Sequence, residues 1–144
     1  MKIRSIHLIA GFSVFAVLGM VFATYLILLS QGVTTGEFCS ISETVNCNTV
    51  SQSKYANLLG IPVSWYGLVT YALMLIGLWV HWFTKNETVL MLVGTLTLIA
   101  LAFSLYLTGI EAFVIHAWCL LCIGSQVAVL GMVATYFGYR KLES

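Results

Sequence analysis

The 144-residue chain is too apolar for a soluble globular domain, since 60% of its residues are hydrophobic and only 8% are charged. Its length allows one domain, and a net charge of +1 provides no basic surface of the kind that binds nucleic acid. The composition therefore predicts one integral membrane domain over residues 1–144, and it excludes a nucleic-acid-binding protein.

Four apolar stretches are each long enough to cross a bilayer as a helix. They cover about residues 6–30, 64–83, 88–112 and 117–139, and roughly 20 helical residues at about 1.5 Å each span a hydrocarbon core of about 30 Å. The first stretch follows basic residues, as the core of a signal peptide does, but its apolar run is much longer, so we expect it to be retained. The chain is predicted to be an all-α membrane protein built as a bundle of four transmembrane helices.

The distribution of lysine and arginine predicts the orientation of the bundle. Five of the six basic residues lie at the termini or between the second and third stretches, whereas Lys54 lies in the loop 31–63. By the positive-inside rule, both termini are cytoplasmic and this loop is outside. Within the loop we expect a short half-helix from about Asn46, with Gly60 as its C-cap, lying over the mouth of the bundle. We treat His7 and His81 as anchors at the cytoplasmic face.

The four cysteines form two pairs on the outer side, where disulfides persist. Cys39 and Cys47 lie in the outer loop, and Cys119 and Cys122 form a CxxC at the start of the fourth stretch. A CxxC closes and reopens at little cost, so it suits electron transfer better than a permanent crosslink. Placed on one helix face near a helix N-terminus, both thiols should have lowered pKa values, Cys119 more than Cys122. Two dithiols at a membrane edge predict electron transfer between thiols and a lipid-dissolved acceptor.

Other interpretations of the cysteines remain open. Cys39 and Cys47 could form only a structural disulfide, and the protein would then be a non-enzymatic tetraspan scaffold. Four cysteines could also bind zinc, but their spacing matches no common zinc knuckle, and an oxidising compartment disfavours four free thiolates. A metal transporter should place ionisable ligands deep inside its spans, whereas Glu111 lies at the end of one. We therefore expect no metal.

Three segments of the chain together resemble the vitamin K epoxide reductase (VKOR) family. They are Cys39-x₇-Cys47-x₅-Ser53, Leu59-Gly60-Ile61-Pro62-Val63-Ser64-x-x-Gly67 and Trp118-Cys119-Leu120-Leu121-Cys122. The similarity extends over nearly the whole chain. It implies a four-helix bundle around a quinone (ubiquinone or menaquinone), capped by a half-helix in the first outer loop. It also implies the bacterial type without a fused thioredoxin-like domain, in the inner membrane.

The resemblance also implies a role for each cysteine. Cys39 would exchange with the thiols of a separate thioredoxin-like (DsbA-type) protein on the outer side, and Cys47 would exchange with Cys119. Cys122 would face the quinone and pass electrons to it. Ser53 matches the serine that hydrogen-bonds a quinone oxygen in the family.

Two departures from the animal members bear on the substrate. Where they have an asparagine and a tyrosine near the quinone, this chain has Val63 and Gln126. Gln126 lies four residues after Cys122, on the same helix face, and can still donate a hydrogen bond, so we predict that it binds the quinone. The differences favour a quinone-linked thiol-disulfide oxidoreductase that supports disulfide-bond formation; a reductase of vitamin K epoxide or quinone remains the alternative. Four aromatic residues could line the quinone pocket or form an interfacial belt: Trp65, Tyr66, Phe113 and Trp118.

The orientation can be tested by labelling thiols. If the loop 31–63 is outside, a thiol reagent that cannot cross membranes should label reduced Cys39 in intact cells or right-side-out vesicles. Labelling that requires the membrane to be broken would place the loop on the cytoplasmic side and reverse the predicted topology.

Overall fold

The computed structural model describes residues 2–32, 54 and 57–143 of the chain. Within this part, four helices are long and apolar enough to cross a membrane, which confirms the predicted all-α four-helix membrane architecture. The helices are α1 (Lys2–Ser30), α2 (Val63–Thr84), α3 (Glu87–Ile110) and α4 (Leu120–Glu143). Helix α3 continues into a π-helical segment, Glu111–Ile115. The half-helix expected in the first outer loop falls largely on residues outside the described part.

The four helices form a ring in which α1 packs against α2 and α4, and α3 packs against the same two helices. Neighbouring helices are antiparallel. Leu8, near the start of α1, lies against Gly138 near the end of α4, whereas Leu29, near the end of α1, packs with Cys119. One end of the bundle therefore carries both termini and the α2–α3 turn; we call it the basic end. The opposite end, which carries the π-helical segment and Cys119, is the cysteine end.

The turn between α2 and α3 is short because both helices are capped within it. Lys85 closes α2 in a left-handed conformation, with φ of 56°, and its N–H donates to the carbonyl of His81 at 2.7 Å. Asn86 then caps α3, since its side-chain oxygen accepts the N–H of Thr88 at 2.9 Å. A two-residue connection forces the helices to run antiparallel side by side.

The buried face of α1 shows how the bundle is packed. Buried residues recur every three or four positions from Ser5 to Ile27, as expected when one stripe faces the helical neighbours. They are Ser5, Ile9, Phe12, Ala16, Gly19, Ala23, Ile27 and Leu29. The remaining faces are also largely apolar, with Val14, Val17 and Val21 exposed. Exposed valines are suited to lipid, so the pattern agrees with a membrane-spanning helix.

Gly60 is part of a hairpin, which corrects its predicted role as a helix C-cap. Strands β1 (Asn57–Leu58) and β2 (Ile61–Pro62) pair antiparallel, and Leu59 and Gly60 connect them with φ values of 56° and 81°. Two consecutive positive φ angles are typical of a type I′ turn, and glycine adopts one without strain. The hydroxyl of Tyr66 in α2 donates to the carbonyl of Leu58 at 3.0 Å, which holds the hairpin against the helix.

His81 is buried, so its predicted role as an interfacial anchor is wrong. Its side chain has no exposed surface. Nδ1 lies 2.9 Å from the carbonyl oxygen of Asn86, and Nε2 lies 3.3 Å from the hydroxyl of Tyr139. A carbonyl only accepts, so Nδ1 carries a proton and donates it to Asn86, while Nε2 contacts the Tyr139 hydroxyl. The imidazole therefore connects α2, the α2–α3 turn and α4 at the basic end.

Close packing of α3 on α4 depends on the absence of a side chain at Gly94. A Cβ atom there would clash with the ring of Tyr136, and the hydroxyl of Tyr136 is held by a hydrogen bond to the carbonyl of Leu90 at 3.3 Å. The ring therefore has little freedom to move aside.

We expect Gly94→Ala to destabilise the protein by about 1–3 kcal/mol, the usual cost of overpacking. Gly109→Ala is the matched control, because a Cβ at Gly109 on the same helix meets no atom within 4 Å and alanine has the better helix propensity. Thermal unfolding in detergent should separate the two variants. Equal midpoints would mean that Tyr136 does not constrain this interface.

Candidate functional site

A cavity of about 350 Å³ lies among the four helices towards the cysteine end. Its wall is mainly apolar, with contributions such as Leu26 from α1, Met74 from α2, Phe103 from α3 and Val129 from α4. The side chains with polar atoms on the wall are Ser30, Ser64, Tyr66, Thr70, Tyr71, Ser104, Thr108, Glu111, Cys122 and Ser125. Its size lies within the range of small-molecule sites, about 300–1,000 Å³, and a mostly apolar wall with a few polar groups is typical of them.

The CxxC joins this cavity to the cysteine end of the bundle. Cys122 lies in the first turn of α4 and lines the cavity. Cys119 immediately precedes the helix, where its carbonyl accepts the N–H of Ile123 at 3.0 Å, and its side chain is fully buried. We expected both cysteines on one helix face; instead Cys119 occupies the position before the helix begins. The two residues are thiols in this structure, and their side chains hydrogen-bond each other.

The hydrogen bond from Cys122 lowers the pKa of the Cys119 thiol. Two effects oppose it, because burial and the negative charge of Glu111 both disfavour a thiolate at Cys119. On balance the pKa of Cys119 is lowered, as the sequence predicted for this residue. The main cause is the neighbouring thiol of Cys122 rather than the helix dipole. A lowered pKa increases the thiolate fraction of Cys119 and makes its sulfur a better leaving group in disulfide exchange.

Glu111 is a third member of the site that sequence reasoning did not assign. It is the first residue of the π-helical segment, only 3% of its surface is exposed, and it lines the cavity. Its Oε2 accepts the backbone N–H of Cys119 at 3.3 Å, and its carboxyl group also hydrogen-bonds the side chain of Cys122. The available signal was an acidic residue at the end of an apolar stretch, eight positions before Cys119.

Tyr71 and Ser125 form a second polar group on the cavity wall. The hydroxyl of Tyr71 donates to the carbonyl of Ser125 at 3.0 Å and also contacts its side-chain oxygen at 2.5 Å. Ser125 lies three residues after Cys122, so it faces the cavity beside that thiol. Spacing could have indicated Ser125, whereas Tyr71 comes from another helix and left no local signal.

Gln126 lies behind the cavity wall rather than on it. The side chain is half-buried, and its Oε1 accepts a hydrogen bond from the hydroxyl of Thr108, which does line the cavity. The same hydroxyl lies 3.0 Å from the carbonyl of Ser104. A hydroxyl has one proton, so it donates to one of these oxygens at a time. Direct binding of a ligand by Gln126 stays a prediction, and the structure connects it to the cavity through Thr108.

Of the four aromatic residues considered for the pocket, Tyr66 lines the cavity. The other three have substantial exposed surface, 41% for Trp65, 80% for Phe113 and 38% for Trp118, and do not contribute to the described wall. Their exposure near the cysteine end is typical of an interfacial aromatic belt.

The remaining predicted site residues, Cys39, Cys47 and Ser53, lie outside the described residues. Their roles stay predictions. Within residues 2–32, 54 and 57–143, no three histidine, cysteine or acidic side chains cluster in a way that could hold a metal ion.

Comparison with known proteins identifies one family. The model of the vitamin K epoxide reductase family matches residues 11–137, which is most of the chain. Members of this family are membrane oxidoreductases that connect thiol-disulfide chemistry with quinones. No curated protein sequence matches the chain.

The geometry of the CxxC predicts the acidity of Cys119 in two matched variants. In a background carrying Cys39→Ser and Cys47→Ser, Cys122→Ser should keep a donor to Cys119, because a hydroxyl can replace the thiol. Cys122→Ala removes that donor but not the burial, so the pKa of Cys119 should be higher than in the serine variant. Cys119 is then the last cysteine, and the ultraviolet absorbance of its thiolate can be followed against pH. The same midpoint in both variants would rule out the hydrogen bond as the cause.

Proposed function

Because this chain belongs to the vitamin K epoxide reductase family, we propose that it is a quinone-linked thiol-disulfide oxidoreductase that supports disulfide-bond formation. Electrons pass from a reduced thioredoxin-like (DsbA-type) protein to Cys39 and Cys47, then to Cys119 and Cys122, and finally to ubiquinone or menaquinone. The observation that supports this most strongly is the position of the CxxC. Cys122 lines a mainly apolar cavity among the spans, and its partner Cys119 lies at the cysteine end.

The groups on the cavity wall fit a quinone. A quinone headgroup is a flat apolar ring with two carbonyl oxygens that accept hydrogen bonds, and its isoprenoid tail is entirely apolar. The wall offers apolar surface from all four helices and hydroxyl groups at Thr70, Thr108 and Ser125. When bound, the quinone supplies the oxidising power, accepting two electrons and two protons. The protein's own contribution is to hold the Cys122 sulfur at the ring and to exclude water.

The family resemblance implies the order of the thiol steps. A thiolate of the partner attacks the Cys39–Cys47 disulfide and forms a mixed disulfide with Cys39. The second partner thiol then releases Cys39 and leaves with the new disulfide. The reduced pair next transfers its electrons inward, when Cys47 attacks Cys119 of the Cys119–Cys122 disulfide. Attack at Cys119 leaves Cys122 as the thiol that faces the cavity. Cys39 then attacks Cys47, which re-forms the Cys39–Cys47 disulfide and releases Cys119 as the second thiol of the reduced CxxC.

Thermodynamics sets the direction of transfer. For a two-electron couple, about 30 mV of potential difference corresponds to about 1.4 kcal/mol. An acceptor of higher potential than the partner's dithiol therefore drives the exchange towards disulfide in the partner. We place the protein in a bacterial inner membrane with both termini cytoplasmic, because the basic residues concentrate at the end of the bundle opposite the CxxC.

One feature of the cavity favours this function over reduction of vitamin K epoxide. Val63 is on the wall at the position where animal members have an asparagine, and it presents an apolar side chain. The cavity therefore has no amide at that point to hold an epoxide or carbonyl oxygen. A quinone can still be bound through the hydroxyls on α2, α3 and α4.

Quinone binding can be tested at Thr108. We expect Thr108→Val to raise the KM for a short-chain quinone about 2- to 10-fold, since one hydrogen bond contributes about 0.5–1.5 kcal/mol. Gln126→Ala and Ser53→Ala should act in the same direction if these side chains bind a quinone oxygen themselves, as predicted from the sequence. Thr95→Val is the control, because its hydroxyl also bonds the carbonyl four residues earlier but lies away from the cavity. An unchanged KM in the first three variants would place the headgroup elsewhere.

The transfer between cysteine pairs can be tested by trapping mixed disulfides. Cys47→Ser leaves Cys39 without its mate, so Cys39 should retain a thioredoxin-like partner in a larger species that disappears on reduction. Cys122→Ser leaves Cys119 without its mate, so a peptide map should contain a Cys47–Cys119 disulfide.

A structural disulfide would behave differently. Neither trapped species would form, and disulfide-forming activity would survive Cys39→Ala. That combination would reject the proposed electron path and support a tetraspan scaffold.

A further inference from the structure

Oxidation of the CxxC by a quinone requires movement of protons as well as electrons. Two S–H bonds break, one S–S bond forms, and two electrons and two protons are added to the quinone to give the quinol. Cys122 loses its proton inside a mainly apolar cavity among the spans, where water is a poor acceptor. A nearby group that can take the proton and release it again would remove this barrier.

Glu111 has the position that this task requires. Its carboxyl group lies within hydrogen-bonding reach of the Cys122 thiol, whose one proton can go either to this carboxylate or to the Cys119 sulfur, and it lines the same cavity. It is held from a second side by the N–H of Cys119, 3.3 Å from Oε2. The carboxyl group is therefore fixed between both cysteines of the CxxC and the space in which a substrate would lie.

The backbone that carries Glu111 is specialised. Helix α3 changes to π-helical geometry at this residue, and the segment ends at His116 in a left-handed conformation with φ of 58°. π-helical turns are frequently found at functional sites. The carbonyl of Glu111 accepts the N–H of Ala117 at 3.2 Å, which turns the chain back towards Cys119. The side chain and its backbone thus form one compact unit with the CxxC.

A purely structural role does not explain a carboxylate here. An ionisable side chain within the spans is costly, and the default interpretation of such a residue is functional. Glutamine would accept the Cys119 N–H equally well through its amide oxygen and would avoid the cost of a buried charge. Only the carboxylate can also bind and release a proton.

We propose that Glu111 is a catalytic residue that carries a proton between Cys122 and the quinone; this inference rests on the proposed function. The carboxylate takes the proton of the Cys122 thiol, and the resulting carboxyl group gives it to a quinone oxygen as the electrons are transferred. The proton of Cys119 is released to the medium as the S–S bond forms, and the medium supplies an equivalent proton to the quinol. Glu111 ends the cycle as a carboxylate, so atoms and charges balance.

The test measures a single oxidation of the reduced, purified protein by ubiquinone-1 in detergent. Glu111→Gln keeps an acceptor for the Cys119 N–H but cannot carry a proton. We expect it to slow quinone reduction at least about 100-fold, the lower end of typical general acid–base contributions. Glu111→Asp should restore at least part of the rate. Glu87→Gln is the matched control, because Glu87 is exposed at the start of α3 on the basic end, and its rate should equal that of the wild type.

The outcomes separate the two proposals. If the wild-type protein is oxidised and Glu111→Gln is within about threefold of it, proton transfer through Glu111 is rejected while the proposed function stands. If the wild-type CxxC is not oxidised by the quinone at all, both proposals fail. Should Glu111→Gln not fold, the wild-type rate in D₂O decides the matter. An unaltered rate in D₂O would reject proton transfer through Glu111.

Discussion

The short connection between α3 and α4 is the constraint on which the site depends. Eight positions separate Glu111 from Cys119, and in that distance the chain must leave one span, reverse direction and begin the next. The π-helical segment and the left-handed His116 accomplish the reversal. As a result, the carboxylate at the end of α3 faces the CxxC at the start of α4, and both adjoin the cavity. A longer loop would not hold these groups together without additional contacts.

Different contacts hold the helices together at the two ends of the bundle. At the basic end, the buried imidazole of His81 connects α2, the α2–α3 turn and α4, and tight packing at Gly94 brings α3 onto α4. At the cysteine end, the four helices enclose the cavity, and hydrogen bonds on its wall orient the polar groups. The contacts at the basic end join the helices at the end away from the cavity.

The sequence predicted those features that depend on local patterns. Apolar run lengths were enough for the four spanning helices, and the CxxC spacing was enough to place Cys119 and Cys122 together. Contacts between distant helices were not predictable, and for that reason Tyr71 was missed, since its partner Ser125 lies 54 residues away. Gly60 was misjudged because glycine favours both helix C-caps and hairpin turns, and the pairing of Asn57–Leu58 with Ile61–Pro62 decides between them. Burial of His81 depends on Tyr139, again a long-range contact.

The central claim is that the CxxC gives its electrons directly to a quinone in the cavity. The most direct measurement uses reduced protein carrying Cys39→Ser and Cys47→Ser, so that Cys119 and Cys122 form the last dithiol. The protein is mixed with one equivalent of a short-chain quinone, the thiols are blocked, and quinol and disulfide are quantified together. The account predicts one Cys119–Cys122 disulfide for each quinol formed. Quinol formation without the Cys119–Cys122 disulfide would contradict direct electron transfer from the CxxC. Quinol formation that persists when Cys122 is also replaced by serine would contradict it as well.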